Sequence, residues 1–225
     1  MSAAGDLWVF GYGSLMWRPG FAFSARYPAR LDGYHRAFCI SSTHHRGTAK
    51  RPGLVLGLDR GGSCRGIVYR IPASDRDAVL AYLRKRELVN GVYIEKHMPV
   101  LLRDGSHERV HAVCYVAERA HPSYVGHLPL AVRAHQIRGA RGLSGANLDY
   151  LVSTVAELRA RGIREPDLER LAALAGAHTG RLMRSDFTSP VSEGIRRAVC
   201  CHADPALRMR PADRRRFLYR LKLTG

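Results

Sequence analysis

Strand-like runs come first along this chain and helical ones last, with a single helix set among the strands. The runs rich in β-branched and aromatic residues are Leu7–Phe10, Arg36–Ser41, Gly53–Leu58, Arg65–Ile71, Val92–Leu102 and Val110–Ala117. Clusters of Gly, Pro, Asp and Ser separate them, as they separate strands. Asp104-Gly105, between the last two, reads as a hairpin turn. The inserted helix lies between Ile71 and Val92: Ser74 stands at its N-cap, Asp77 in capping-box position, and Asn90-Gly91 closes it. From Pro129 onward the pattern turns helical. Leu148, Leu151, Val152, Val155 and Leu158 follow helical spacing, with Gly162 where a C-cap belongs. A further helix opens at Pro166, a favoured first-turn position, and runs to about Ala177. This order predicts an α+β domain whose mixed or antiparallel sheet curves into a partial barrel with flanking helices.

The 225 residues suit one domain with appendages, or one domain and a small companion. Residues 1–180 carry the patterned elements. Residues 181–225 carry Pro190, Pro205 and Pro211 and end in Arg214-Arg215-Arg216-Phe217-Leu218-Tyr219-Arg220-Leu221-Lys222. Residues 180–225 hold eleven Lys/Arg against four Asp/Glu, so they contribute +7 of the formal +17. Such a basic C-terminal extension either packs on the domain or stays partly disordered, or it engages an acidic surface such as nucleic acid. The five cysteines, Cys39, Cys64, Cys114, Cys200 and Cys201, are odd in number and lack C-x-x-C spacing. They fit reduced thiols in a cytoplasm better than a disulfide frame or a zinc site. Cys39 and Cys114 fall inside strand-like runs, as small buried hydrophobes do. No apolar stretch approaches the ~20 residues of a membrane span. Asp6 precedes the first apolar run and no basic segment does, so no secretory signal is expected.

Leu7-Trp8-Val9-Phe10 ends in Gly11-Tyr12-Gly13-Ser14-Leu15. A strand that breaks into glycines followed by a serine offers several N–H donors and a hydroxyl in one small space, which suits a carboxylate or phosphate. The alternative is a tight turn with no ligand. A dinucleotide fingerprint is excluded, because its sixth position is Met16 and Trp17-Arg18-Pro19-Gly20 interrupts the helix it needs.

On the inserted helix, four-residue steps run from Val79 to Leu83 to Glu87, so a carboxylate continues the buried stripe. Desolvation there would raise its pKa and make it a proton carrier near neutral pH. The competing reading is a glutamate near a helix end that turns outward or pairs with an arginine. Glu95 falls on the solvent side of its strand by alternation, and Asp32 and Asp59 sit in turn-like surroundings. His44, His45, His107 and His111 lack a third partner at metal-ligand spacing, so no metal site is expected. Ser14 has no histidine placed as its base.

Tyr12-Gly13-Ser14-Leu15 after a strand resembles the YGSL signature of γ-glutamylcyclotransferases, and further blocks resemble the glutathione-specific ChaC family. These are Gly33-Tyr34-His35-Arg36-Ala37-Phe38-Cys39, then His45-Arg46-Gly47-Thr48 with Pro52-Gly53, then Tyr82-Leu83 with Arg86-Glu87. Tyr93 follows, then His121-Pro122-Ser123-Tyr124-Val125-Gly126, Ile137, Gly142, Ser144-Gly145-Ala146-Asn147 and Tyr150-Leu151. The likeness spans about residues 7–178. It departs at Val92, where the family usually has a second glycine, and residues 181–225 extend past the usual domain.

The resemblance implies a catalytic domain over residues 1–180 that converts glutathione to 5-oxoproline and cysteinylglycine without metal or cofactor. It implies Glu87 as general acid/base and Gly13, Ser14 and Leu15 as binders of the γ-glutamyl α-carboxylate beside Tyr12. Tyr93 and Tyr124 are candidate pocket hydroxyls. Two other readings stay open: the same chemistry on another γ-glutamyl compound, and a non-catalytic member of the fold that binds nucleic acid through its extension.

Overall fold

A computed structural model describes residues 5–88 and 90–176. The basic extension of residues 181–225, with Cys200 and Cys201, lies outside the described residues. Five strands form the body: β1 (Leu7–Gly11), β2 (Ala25–Ser42), β3 (Gly53–Ile71), β4 (Tyr93–Leu102) and β5 (Arg109–Ala117). They hydrogen-bond in the order β1-β3-β2-β4-β5, and the sheet closes on itself where Val9 of β1 meets Val113 of β5. Among the described residues that contact is the one parallel pairing; the other pairings of these strands are antiparallel. The sheet is therefore mixed as expected, but it is a closed barrel and not a partial one.

β2 and β3 are longer than their sequence suggests. β2 begins at Ala25, eleven residues before the expected Arg36, because Pro28 and Asp32-Gly33 look like turn residues. In the fold Pro28 pairs with Ile67, and Gly33 (φ +82°) sits at a break in register between Asp32 and Tyr34. β3 fuses the two expected strands through Gly61 and Gly62, both at positive φ. These irregularities add local twist, which a five-stranded sheet needs in order to close. The β4–β5 hairpin forms as expected, with Asp104 Oδ1 accepting from the Ser106 amide at 3.0 Å in a loop longer than two residues.

The inserted helix, α1, spans Arg76–Glu87 and is preceded by a 3-10 turn at Ala73–Asp75. The expected cap is not made: Ser74 Oγ donates to Asp75 Oδ1 at 3.3 Å and no side chain caps the first amides. Val79, Leu80 and Leu83 bury against Leu7, Val9, Tyr69, Ile71, Val113 and Tyr115 on the barrel wall. That packing anchors the helix whose last residue is Glu87.

α2 (Leu130–Gly139), the two-residue strands β6 (Arg141–Gly142) and β7 (Gly145–Ala146), α3 (Asn147–Ala160) and α4 (Pro166–Gly176) complete the domain. Leu151, Val155 and Leu158 face inward at the predicted spacing, whereas Val152 is 51% exposed. Gly162 (φ +66°) ends α3 with Ile163 N–H donating to the Leu158 carbonyl, a Schellman closure. Cys39, Cys64 and Cys114 are buried free thiols. No helix among the described residues is long and apolar enough to cross a membrane.

β1 covers only Ile67–Ile71 of β3, so among the described residues the start of β3 presents an edge with no strand on that side. Side chains complete it. Asn147, fully buried, accepts from the Leu54 amide and donates to the Leu54 carbonyl, both at 2.7 Å. The Tyr93 hydroxyl donates to the Leu56 carbonyl at 2.5 Å.

Candidate active site

Past Gly11 the chain enters a 3-10 turn, Ser14–Met16, closed by the Met16 amide on the Gly13 carbonyl at 2.9 Å. A Cβ on Gly11 would lie 3.1 Å from Leu15 Cβ, so the reversal is tight. The first amides of such a turn, those of Ser14 and Leu15, have no carbonyl partner within it. Three side chains from separate elements hold this segment. Buried Arg36 donates from Nε to the Tyr12 carbonyl at 2.5 Å, and it also pairs with Glu165 and donates to the Arg65 carbonyl at 2.6 Å. The Tyr69 hydroxyl donates to the Leu15 carbonyl at 2.9 Å.

Arg86 is the third support. Its Nη2 donates to Ser14 Oγ at 2.9 Å, while Nη1 donates to the carbonyls of Arg18 (2.9 Å) and Pro19 (3.2 Å) and to the Tyr82 hydroxyl (3.0 Å). Gly20 (φ +76°) is required beside it, since a Cβ there would fall 2.0 Å from the Tyr82 oxygen. Arg86 Nε also lies 3.1 Å from Glu87 Oε1. One guanidinium thus ties the turn to the carboxylate.

Turn and carboxylate meet in one cleft, which encloses ≈ 430 Å³ of space, part of it open to solvent. Tyr12, Gly13, Ser14 and Leu15 line one part of it, and Glu87 is the one carboxylate among the lining residues. Val55, Leu56, Tyr93, Tyr115 and Tyr150 supply the rest of the wall. Burial raises the Glu87 pKa above the ordinary carboxylate value, and Arg86 partly offsets that rise. Burial also raises the pKa values of Tyr12, Tyr93 and Tyr150, so their hydroxyls stay protonated. Tyr115 is steered from behind, its hydroxyl donating to Glu95 Oε2 at 3.1 Å.

Of the residues singled out from sequence, Tyr12, Gly13, Ser14, Leu15, Glu87 and Tyr93 are brought together. Tyr124 is not among the lining residues. Its hydroxyl donates to Asp59 Oδ2 at 2.7 Å, and its backbone bridges to Ile40. Asp59 is no turn residue: it lies buried in β3 and also accepts from Arg119 Nε at 2.7 Å. Burial pushes its pKa up, but the hydrogen bonds from Arg119 and Tyr124 outweigh burial and hold it below the usual value. Glu95 is not on the solvent side either. Its side chain is only 14% exposed and accepts from Arg84 at 2.9 and 2.7 Å, a pairing that lowers its pKa. Val55, Leu56, Tyr115 and Tyr150 were not expected in the site. Tyr150 alone had a signal, its place in the last block of the resemblance.

A closed barrel whose first strand runs into this turn, with a carboxylate across the cleft, is the γ-glutamylcyclotransferase fold. The chain matches a crystal structure of a γ-glutamyl cyclotransferase specific to glutathione from yeast with a TM-score of 0.67 at 25% identity, over 77% of this chain and 99% of that one. It belongs to the ChaC-like protein family, whose model matches residues 7–177. It is 38% identical over 167 residues to the glutathione-specific γ-glutamylcyclotransferase of Escherichia coli, covering 74% of this chain and 71% of that protein. It is 39% identical over 173 residues to the human glutathione-specific γ-glutamylcyclotransferase 1, covering 76% and 78%.

Proposed function

We propose that this protein is a glutathione-specific γ-glutamylcyclotransferase, a lyase that converts glutathione to 5-oxoproline and L-cysteinylglycine. The observation that carries the reading is Glu87, the single carboxylate among the residues lining a cleft that it shares with the Tyr12–Leu15 turn. The α-amine of the γ-glutamyl residue attacks its own γ-carbonyl carbon, the new C–N bond closes a five-membered ring, and the bond to the cysteine nitrogen breaks. Nucleophile and electrophile belong to one residue, so the chemistry requires no metal, cofactor or water. Holding that residue folded supplies much of the advantage, since oriented intramolecular attack reaches effective molarities of ~10⁵ M or more.

Two tasks fall to the chain. The Ser14 and Leu15 amides, with Ser14 Oγ held by Arg86, bind the α-carboxylate and fix the ring-closing geometry. Glu87 moves the protons: an ammonium cannot attack, and an amide nitrogen departs poorly unless protonated. The attacking nitrogen goes from three protons to one and the departing nitrogen from one to three, so two protons cross between them. A carboxylate whose pKa burial has raised suits both acceptance and return. The buried free thiols of Cys39, Cys64 and Cys114 suit a reducing cytoplasm.

Glu87→Gln keeps the shape of the side chain and removes its proton chemistry. Release of 5-oxoproline from glutathione is expected to fall by about 10²–10⁴-fold, with the fold retained by circular dichroism. Turnover near the wild-type rate in that variant would refute the assignment.

A further inference from the structure

Glutathione carries two carboxylates, and the turn accounts for one. The residues lining the cleft include no lysine or arginine, and Arg86, just behind it, is engaged by Ser14 and Glu87, so a further cation that reads the terminal glycine carboxylate would stand beyond another part of the wall. Arg46 stands there, its guanidinium carbon 4.7 Å from the ring centroid of Tyr150, a lining residue. It is half-buried, and burial lowers its pKa, which Tyr150 and Asp149 partly restore. Among the described residues its side chain hydrogen-bonds only through Nη1, to the carbonyls of Ser144 (2.5 Å) and Ala146 (3.5 Å). Nε and Nη2 have no partner there, and no carboxylate lies within ion-pair distance.

The loop that presents Arg46 is held at several points. The Arg46 amide donates to Ser42 Oγ at 3.1 Å, and the amides of Leu143 and Ser144 donate to the carbonyls of His44 and His45 at 3.0 and 2.9 Å. Gly47 permits the closest approach, since a Cβ there would fall 2.1 Å from the Gly53 amide nitrogen. The same loop leads into β3, which supplies Val55 and Leu56 to the wall. A half-buried guanidinium with its Nε and Nη2 edge unengaged, held next to a residue of the cleft wall, is built for a planar carboxylate.

We propose that Arg46 reads the terminal glycine carboxylate of glutathione and so sets the preference for glutathione over γ-glutamyl compounds that lack an anion at that position. This rests on the cyclotransferase reading above, and the test separates the two. Wild type, Arg46→Gln and Arg46→Lys are each assayed for 5-oxoproline release from glutathione and from glutathione whose glycine carboxylate is a carboxamide. Wild type should favour glutathione about 10–100-fold in kcat/KM, the range of a charged hydrogen bond withdrawn from water. Arg46→Gln should lose most of that factor with glutathione, chiefly through KM, and far less with the carboxamide; Arg46→Lys should recover part of it. Equal losses on both substrates would reduce Arg46 to a brace for Ser144 and Ala146 and overturn the proposal. The wild-type comparison stands alone should a variant fail to fold: a protein that handles both substrates equally does not read the carboxylate. Release of 5-oxoproline from neither substrate would overturn the cyclotransferase reading itself.

Discussion

Asn147→Ala should be among the most damaging single substitutions remote from the reacting atoms. Its carboxamide is fully buried and holds both polar backbone groups of Leu54, itself fully buried, at 2.7 Å each. Alanine would leave an amide and a carbonyl facing each other across a dry gap. Each orphaned group costs ~1–3 kcal/mol, so about 4 kcal/mol is expected, which at ~2–4 °C per kcal/mol lowers the melting temperature by about 8–16 °C. Asn147→Asp sharpens the test. Its carboxylate still accepts from the Leu54 amide but cannot donate to the Leu54 carbonyl until it is protonated. The folded state therefore favours the protonated acid, and its stability relative to wild type should fall as pH rises from 4 to 7. Urea titrations of the three proteins at both pH values measure this. A midpoint for Asn147→Ala within experimental error of wild type would show that the β3 edge does not depend on this side chain, and the reasoning would fail.

Arg86 stabilises the Glu87 carboxylate against the effect of burial, so Arg86→Gln should make Glu87 hold its proton to higher pH. The acid limb of the kcat/KM profile should then move upward in pH, and Arg86→Lys should return it part of the way while still losing the Ser14 contact. An unmoved limb would exclude Arg86 from tuning Glu87. In β3, a Cβ on Gly57 would fall 2.5 Å from Cys39 Sγ and 3.3 Å from Ala117 Cβ. Gly57→Ala should cost ~1–3 kcal/mol by denaturant titration, and adding Cys39→Ala should recover much of it.

The main elements and half the site were legible in sequence because both rest on local patterns. The Gly11–Leu15 break and the Val79–Leu83–Glu87 stripe need only spacing. What escaped depends on tertiary partners. Asp32-Gly33 and Gly61-Gly62 look like turns until the facing strand shows them to be irregularities inside continuous pairing. Alternation places Glu95 in solvent, but Arg84 on α1 and Tyr115 on β5 close over it. Tyr124 matches a block of the resemblance yet is drawn to Asp59, whose burial in β3 no local signal announces. Tyr115 lines the cleft while sharing a core cluster with Val79, Leu80 and Leu83 of α1, a tertiary juxtaposition of which sequence spacing carries no trace.

Burial of Cys39, Cys64 and Cys114 also bears on how this domain would coexist with the glutathione pool that the proposed reaction draws on. Glutathione and its disulfide cap protein thiols by exchange, a reaction that needs a thiolate and a clear line of approach. Burial pushes the Cys39 thiol up to about 12 and the Cys64 thiol up to about 11, and it raises Cys114 as well. At neutral pH a thiol with a pKa near 11 is ionised about one part in ten thousand, against a few per cent for an ordinary cysteine. The barrel's own sulfurs are thus poor targets for mixed-disulfide formation. In the reaction proposed above, turnover would therefore not depend on the redox state of these three barrel thiols, even as the oxidised form of the substrate accumulates.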